Sequence, residues 1–235
     1  LPVLQDRVIE LVDVKDFKPN IIHAQHIWIT PYVAAKTNIP YVITAHGTDL
    51  MGFKKDDRYH KYALTGARKA KKIITISQQV HEESLKLLKI KENKLELIPN
   101  GFDENIFNIK DIEKSELKAE FDIDQNIEYV VSFVGKFTNF KGIDLLIKAA
   151  AIVNKTIPDV VFALAGHGEL MTEMKELQKR LGLDNILFLG QITQKEVAKL
   201  YNLADISVVP SRVEPFGLVA IEALACGTPV VASNA

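Results

Sequence analysis

Nine short runs rich in Val and Ile, most of them followed by a longer helix-like stretch, constrain the fold of this chain more than any other feature. They cover residues 20–24, 41–45, 72–76, 95–98, 129–135, 160–166, 185–190, 205–210 and 229–232. Few of them alternate apolar with polar residues. A strand that is apolar on both faces belongs in a parallel sheet with helices on both sides. The intervening stretches 143–155, 170–181 and 194–203 are amphipathic. In the second of these, Leu170, Met174 and Leu177 fall on one helical face, with Lys and Glu on the other. Strand–helix alternation with short connections predicts an α/β fold built on doubly wound parallel sheets.

The rhythm breaks once. Residues 103–126 carry Asp111, Glu113, Lys114, Glu116, Lys118 and Glu120 and no strand signal, with one helix expected at 114–121. This predicts two α/β units, 1–108 and 129–235, with a join at 109–128. Hydrophobic residues make up 47 % of the 235 and charged residues 25 %, the mixture of a globular protein with a substantial core. Lys and Arg number 29 against 30 Asp and Glu, a formal net charge of −1. That balance argues against a dedicated nucleic-acid binder, whose phosphate contacts demand a basic excess. The single cysteine, Cys226, excludes an internal disulfide and any multi-cysteine zinc site, and is expected to be buried in an apolar helix end. No apolar run approaches the ~20 residues that cross a bilayer, and no charged start precedes an apolar stretch as in a signal peptide. The chain opens on Leu1 rather than Met, and Ala235 directly follows a strand-like run, so both ends are expected to have been cut.

In open α/β sheets, ligands bind beyond the carboxyl ends of the strands. Those ends carry His46-Gly47-Thr48-Asp49, Asn100-Gly101, Gly135-Lys136, Gly166-His167-Gly168 and the run from Ser211 to Gly217. They are rich in Gly and in polar groups suited to an anion. The most informative stretch runs from Ser211 through Glu214-Pro215-Phe216-Gly217-Leu218 and Glu222 to Gly227-Thr228-Pro229. Here a turn opens a helix whose unsatisfied N–H groups suit a phosphate, and Gly217 lets a ligand approach the backbone. Glu222 lies eight residues after Glu214, so one carboxylate can address a ligand before the phosphate and the other beyond it; a carboxylate that accepts two vicinal hydroxyls is the usual way to hold a ribose. The plainer alternative makes Glu214 a helix-start residue and Glu222 a solvated one. A second constellation places Lys136 and Lys141 five residues apart around a loop that follows a strand and opens a helix. Two cations over a departing diphosphate favour the transition state, because negative charge grows as the bond breaks. Two surface lysines flanking a turn is the alternative.

Together, Gly135-Lys136 with Lys141-Gly142, Gly166-x-Gly168, and Glu214 with Glu222 in their surrounding motif resemble the GT-B retaining glycosyltransferases. The nearest group is glycosyltransferase family 4, often labelled "glycosyl transferases group 1". Pro99-Asn100-Gly101-Phe102-Asp103, His23-Ala24-Gln25-His26-Ile27-Trp28 and Thr44-Ala45-His46-Gly47-Thr48-Asp49 add matches in the expected order. The resemblance implies two Rossmann-like units facing a cleft, the first partial and on the acceptor side, the second partial and binding the nucleotide-sugar donor. It implies that Lys141 binds the donor diphosphate, with Lys136 where many members have Arg. A lysine there keeps the charge and loses the planar fork. It further implies that Glu222 holds the ribose and Glu214 faces the transferred sugar. Gly135, Gly166, Gly168, Phe216, Gly217 and Leu218 are implied to line the donor site, and His46 to lie near the sugar. The base is implied at 190–194, including Ile192 and Gln194. The implied activity is that of a retaining hexosyltransferase in polysaccharide or glycoconjugate biosynthesis, its acceptor a sugar, a lipid-linked compound or a small molecule. No cofactor, metal or nucleic acid is implied. The expected location is the cytoplasm, at or near the inner membrane face. A nucleotide-sugar epimerase, a phosphorylase, and a truncated nucleotide-binding chain are the rival readings.

Three further features are weighed and set aside. Asp122-Ile123-Asp124 spells an Asp-x-Asp pattern but precedes a strand instead of following one. His23 and His26 join His46 at strand ends, with no carboxylate–histidine helix pair to complete a zinc site. Gly166-His167-Gly168 lacks the third glycine and the acidic ribose binder of a dinucleotide fingerprint. The basic run Arg68, Lys69, Lys71 and Lys72 reads as a solvated face that compensates a helix dipole, or else as a peripheral contact with an anionic membrane.

Overall fold

All nine expected strands are present in the computed structural model, which describes residues 19–55 and 57–234; Leu1 and Ala235, on which the expectation of cut ends rests, lie outside them. The described residues fall into two compact units that divide between Asn100 and Gly101. In the first, β1 (Ile22–Gln25), α1 (Thr30–Ala34), β2 (Tyr41–Ala45), α2 (Thr48–Lys55), α3 (His60–Lys69), β3 (Lys72–Thr75), α4 (Gln78–Leu88) and β4 (Leu95–Leu97) follow in order. The strands form a parallel sheet β1-β2-β3-β4, with Ile43 opposite Ile73 and Ile73 opposite Leu95.

The second unit contains α5 (Lys114–Glu120), β5 (Tyr129–Val134), α6 (Ile143–Val153), β6 (Val160–Ala165), α7 (Met171–Arg180), β7 (Ile186–Gly190), α8 (Gln194–Leu203), β8 (Ile206–Val209), α9 (Leu218–Ala225) and β9 (Val230–Ala232). Its parallel sheet runs β7-β6-β5-β8-β9. The chain first winds outward from β5 through β6 to β7, then returns to lay β8 on the other side of β5. This reversal opens a crevice at the carboxyl ends of β5 and β8, where doubly wound sheets bind ligands.

Strand β6 shows why its sequence does not alternate: all six residues are buried. Phe162 and Leu164 pack with Phe133, Ile147 and Met174 on one face. Val161, Ala163 and Ala165 pack with Leu117, Leu200 and Leu203 on the other. The charged stretch expected to join the units is built into the second one. Leu117, Phe121 and Ile123 belong to its core, and Phe107 packs against Tyr201 and Cys226 in another buried cluster. Asn202 fastens the segment further, donating to the Asn108 carbonyl at 3.0 Å and accepting the Lys110 N–H at 2.8 Å. Apolar residues every few positions inside a charged stretch anchor it, so the division falls before residue 108.

Helix starts follow local chemistry. Thr193 accepts the Glu196 N–H while Glu196 accepts the Thr193 N–H at 2.6 Å, a reciprocal cap that starts α8 where the sequence predicts. At the other end of α3, the Lys94 ammonium donates to the carbonyls of Arg68 and Ala70. Lys94, not the basic run itself, therefore meets the helix's carboxyl-end carbonyls. Lys72 instead pairs with Glu96 at 3.2 Å. Among the described residues, no helix is long and apolar enough to cross a membrane.

Candidate functional site

The turns after β5 and β6 are interlocked, and glycine makes this possible. A Cβ on Gly166 would lie 1.8 Å from the Gly135 carbonyl oxygen, and one on Gly168 would lie 2.4 Å from that of Phe137. The Phe137 N–H donates to the His167 carbonyl at 3.0 Å, and the Leu170 N–H to that of Phe137 at 3.1 Å. Phe137 is fully buried edge-on against Phe133. Gly166 and Gly168 are thus required by backbone packing between two turns, a demand independent of any ligand. Beside them opens a cavity of about 410 Å³ lined by Gly135, Lys136, Gly166, Gly168, Ile192 and Val197, among others. Five expected donor-site residues (Gly135, Lys136, Gly166, Gly168 and Ile192) therefore share one recess. Gln194 is not part of its lining; it is exposed in the first turn of α8.

A second cluster forms where the loop after β8 meets the turn before α6. The Lys141 ammonium donates to Glu214 Oε2 at 2.5 Å, and the Ser211 hydroxyl donates to the same oxygen at 3.0 Å. Both ionic partners are partly shielded, at 28 % and 18 % side-chain exposure. Glu214 is thus held by two donors rather than solvated as a helix-start residue. Gly142, with φ +63°, sits under the Pro210 carbonyl, 1.9 Å from where a Cβ would be. Gly217 caps α9 at φ +86°, and a Cβ there would meet nothing nearer than Glu214 Cγ at 3.5 Å. Only Gly217, of these glycines, leaves open space beside a helix start. Glu222, one turn into α9, is half-buried, and burial pushes its carboxyl above the ordinary range. It also neighbours Tyr201, whose hydroxyl is buried without a hydrogen-bond partner.

Sequence reading missed the residues that join these loops. Arg212 forks onto Asp144 at 2.8 and 2.9 Å and donates to the Asn139 carbonyl at 2.9 Å. The residues are 68 positions apart, and only the adjacency of β5 and β8 brings them together. No local signal points to the pair.

In the first unit, His26 and His46 directly follow β1 and β2, while His23 lies inside β1 rather than at its end. His46 Nε2 lies 2.7 Å from Gln25 Oε1, His23 Nε2 lies 2.8 Å from Thr44 Oγ1, and the rings of His26 and His46 are 4.7 Å apart. Burial, and then the neighbouring His26, lower the His46 pKa, so its ring is neutral at neutral pH. Asp49 does not face a ligand. It is fully buried and accepts the N–H groups of Ile27, His46 and Leu50 at 2.9, 3.1 and 3.1 Å. Asp49→Ala strands three donors, and we expect it to cost about 3 kcal/mol or more in urea unfolding, with Asp49→Asn costing less. An unchanged midpoint in Asp49→Ala would refute this role.

Asp122 and Asp124 line a separate cavity of about 430 Å³, with Asp184 and Asn185, at the amino end of the second sheet. Asp124 is engaged there by the Asn126 N–H and side-chain amide, at 2.9 and 3.0 Å. Among the described residues, no group of three or more His, Cys, Asp or Glu is arranged to hold a metal ion. Cys226 is buried and unpaired.

Comparison with known proteins places these features in context. The family profile "Glycosyl transferases group 1" matches residues 113–235, and "Glycosyltransferase Family 4" matches residues 9–106. An uncharacterized glycosyltransferase of Methanocaldococcus jannaschii is 33 % identical over 229 residues, covering 92 % of this chain and 58 % of the relative. A D-inositol 3-phosphate glycosyltransferase of Segniliparus rotundus is 40 % identical over 146 residues, covering 60 % and 32 %. The crystal structure of Anabaena HepE with UDP and glucose matches with a TM-score of 0.83 at 25 % identity, covering 99 % of this chain and 63 % of that one. The chain thus spans less than two thirds of the length of these proteins.

Proposed function

Because the chain belongs to the glycosyl transferases group 1 family, with the two parallel α/β units of the GT-B fold, we propose that it moves a hexose from a nucleoside-diphosphate donor to an acceptor hydroxyl, with retention at the anomeric carbon. The observation that carries this reading is the meeting of Lys141 and Glu214 at the strand-order reversal, beside a glycine-lined recess. In this reading, Lys136 and Lys141 take the diphosphate, helped by the start of α9 at Gly217 and Leu218. Glu222 accepts the ribose hydroxyls, and Glu214 with Phe216 addresses the sugar. The base rests near Ile192 and Gln194. The C1–O bond to the diphosphate breaks as the bond from C1 to the acceptor oxygen forms, and the acceptor proton passes to the departing phosphate. Lysines stabilise that growing charge without a metal. His46 is assigned to the transfer step, as a neutral group.

UDP is the first donor nucleotide to test, because HepE holds it. The acceptor, whether sugar, lipid-linked or small molecule, is assigned to the first unit. A cytoplasmic site of action, with peripheral membrane contact where the acceptor is lipid-linked, belongs to the same proposal. Calorimetric titration with UDP, GDP and ADP should give saturable one-site binding for one of the three. No binding by any of them refutes the reading. Product anomeric configuration, read by NMR, tests retention.

The same reading fixes a pH dependence. Glu222 accepts hydroxyls as a carboxylate, so nucleotide affinity is highest above its raised pKa and falls as pH drops through it. Its effect on the free fold runs the other way, because burial disfavours the charged form: stability from this group is present at low pH and lost as pH rises through the raised value. Glu222→Gln should flatten the affinity profile between the ordinary carboxylate range and neutrality. An unchanged profile in that variant would remove the ribose role.

A further inference from the structure

We propose that Arg212 and Asp144 are the positioning pair of the donor site, which set the separation of Lys141 and Glu214 without touching the nucleotide themselves. This rests on the donor-site reading above. Lys141 lies in the turn Asn139–Lys141, and Glu214 lies in the loop that follows β8. Neither segment belongs to a regular strand or α-helix, so their spacing has to be fixed by contacts between them.

Besides the Lys141–Glu214 bond itself, the Val213 N–H on the Phe140 carbonyl at 3.4 Å and the close approach of Gly142 to Pro210, most of the hydrogen bonds between them are made by Arg212. The Arg212 N–H donates to the Phe140 carbonyl at 2.7 Å, and its guanidinium donates to the Asn139 carbonyl at 2.9 Å. The two terminal nitrogens then take the two oxygens of Asp144 at 2.8 and 2.9 Å. Asp144 stands in the first turn of α6, where a carboxylate also suits the helix dipole. The guanidinium holds its carboxyl below the ordinary range, with Lys148 adding a weaker contact at 3.3 Å. Arg212 thus grips the turn on both sides of Lys141, two residues before Glu214 in its own loop. A bidentate fork fixes direction as well as distance, which a lysine at 212 would not do.

The alternative is an ordinary partly exposed ion pair. Such pairs contribute little to folding and nothing to binding at a distance. The two readings differ in what the diphosphate feels. A displaced lysine loses its grip on the β-phosphate while the nucleoside contacts stay as they were.

The test compares the best-binding nucleoside diphosphate among UDP, GDP and ADP with its own monophosphate, by calorimetry on the whole chain. Wild type should bind the diphosphate more tightly than the monophosphate. In Arg212→Ala and Asp144→Asn that preference should shrink about tenfold, with monophosphate affinity unchanged, because a displaced lysine no longer reaches the β-phosphate. Arg212→Lys should be intermediate, and the exchange Arg212→Asp with Asp144→Arg should restore part of the preference. A preference untouched by Arg212→Ala, or diphosphate and monophosphate affinities that fall together in the well-folded Arg212→Lys, overturns the positioning role. A wild-type chain with no preference for the diphosphate refutes the donor-site reading itself.

Discussion

Replacing Lys141 with alanine should lower sugar transfer at least about tenfold in protein that carries the activity, and should leave thermal unfolding almost unchanged, if the proposed donor role holds. Lys141 is 28 % exposed at its side chain and meets Glu214 at 2.5 Å, so removing it opens no buried cavity. Glu214 keeps the Ser211 hydroxyl as a donor. In the proposed role the lysine acts on charge that grows as the sugar leaves, so the loss should fall mainly on kcat. Glu222→Ala should cut transfer by a similar factor, through nucleotide affinity instead. Wild-type turnover in both variants would end the assignment.

Alanine at Gly166 should act on folding before it acts on chemistry. Its Cβ would lie 1.8 Å from the Gly135 carbonyl oxygen, at a φ of +141° that only glycine adopts readily. The turns after β5 and β6 would have to separate, and we expect a loss of about 3 kcal/mol or more in denaturant unfolding. Gly217 is the control. Its φ of +86° makes alanine strained, but a Cβ there meets only Glu214 Cγ at 3.5 Å and Ala220 Cβ at 4.0 Å. Gly217→Ala should therefore cost about 1–2 kcal/mol, and reduce nucleotide affinity more than stability. Equal unfolding midpoints for the two variants would contradict this division of roles.

These two glycines mark what a sequence can and cannot disclose here. The β-branched runs announce every described strand, although only β6 is buried along its whole length; β1, β4 and β9 are largely exposed and are legible from their Val, Ile and Leu content rather than from burial on both faces. The expected strands run one residue past the observed ones at Gly135 and Pro210, where a glycine or proline ends the ladder. Lys141 and Glu214 were legible from motif spacing, and they meet. Roles that depend on which strands lie side by side were not legible. Arg212 and Asp144 look like unremarkable charges until β8 is laid beside β5. Asp49 reads as a polar group at a strand end, yet it turns inward onto three N–H groups. Lys94 sits far from α3 in sequence, yet it serves the end of that helix.

Amide-resolved NMR of the chain titrated with UDP addresses the binding face without relying on any variant. Shifts concentrated at Gly135, Lys136, Gly166, Ile192 and Gly217 are the predicted outcome, since these residues border the recess and the α9 start at the carboxyl end of the sheet. Shifts centred instead on Asp122, Asp184 and Asn185, around the recess at the sheet's opposite end, would show that the nucleotide pocket has been assigned to the wrong side of the molecule.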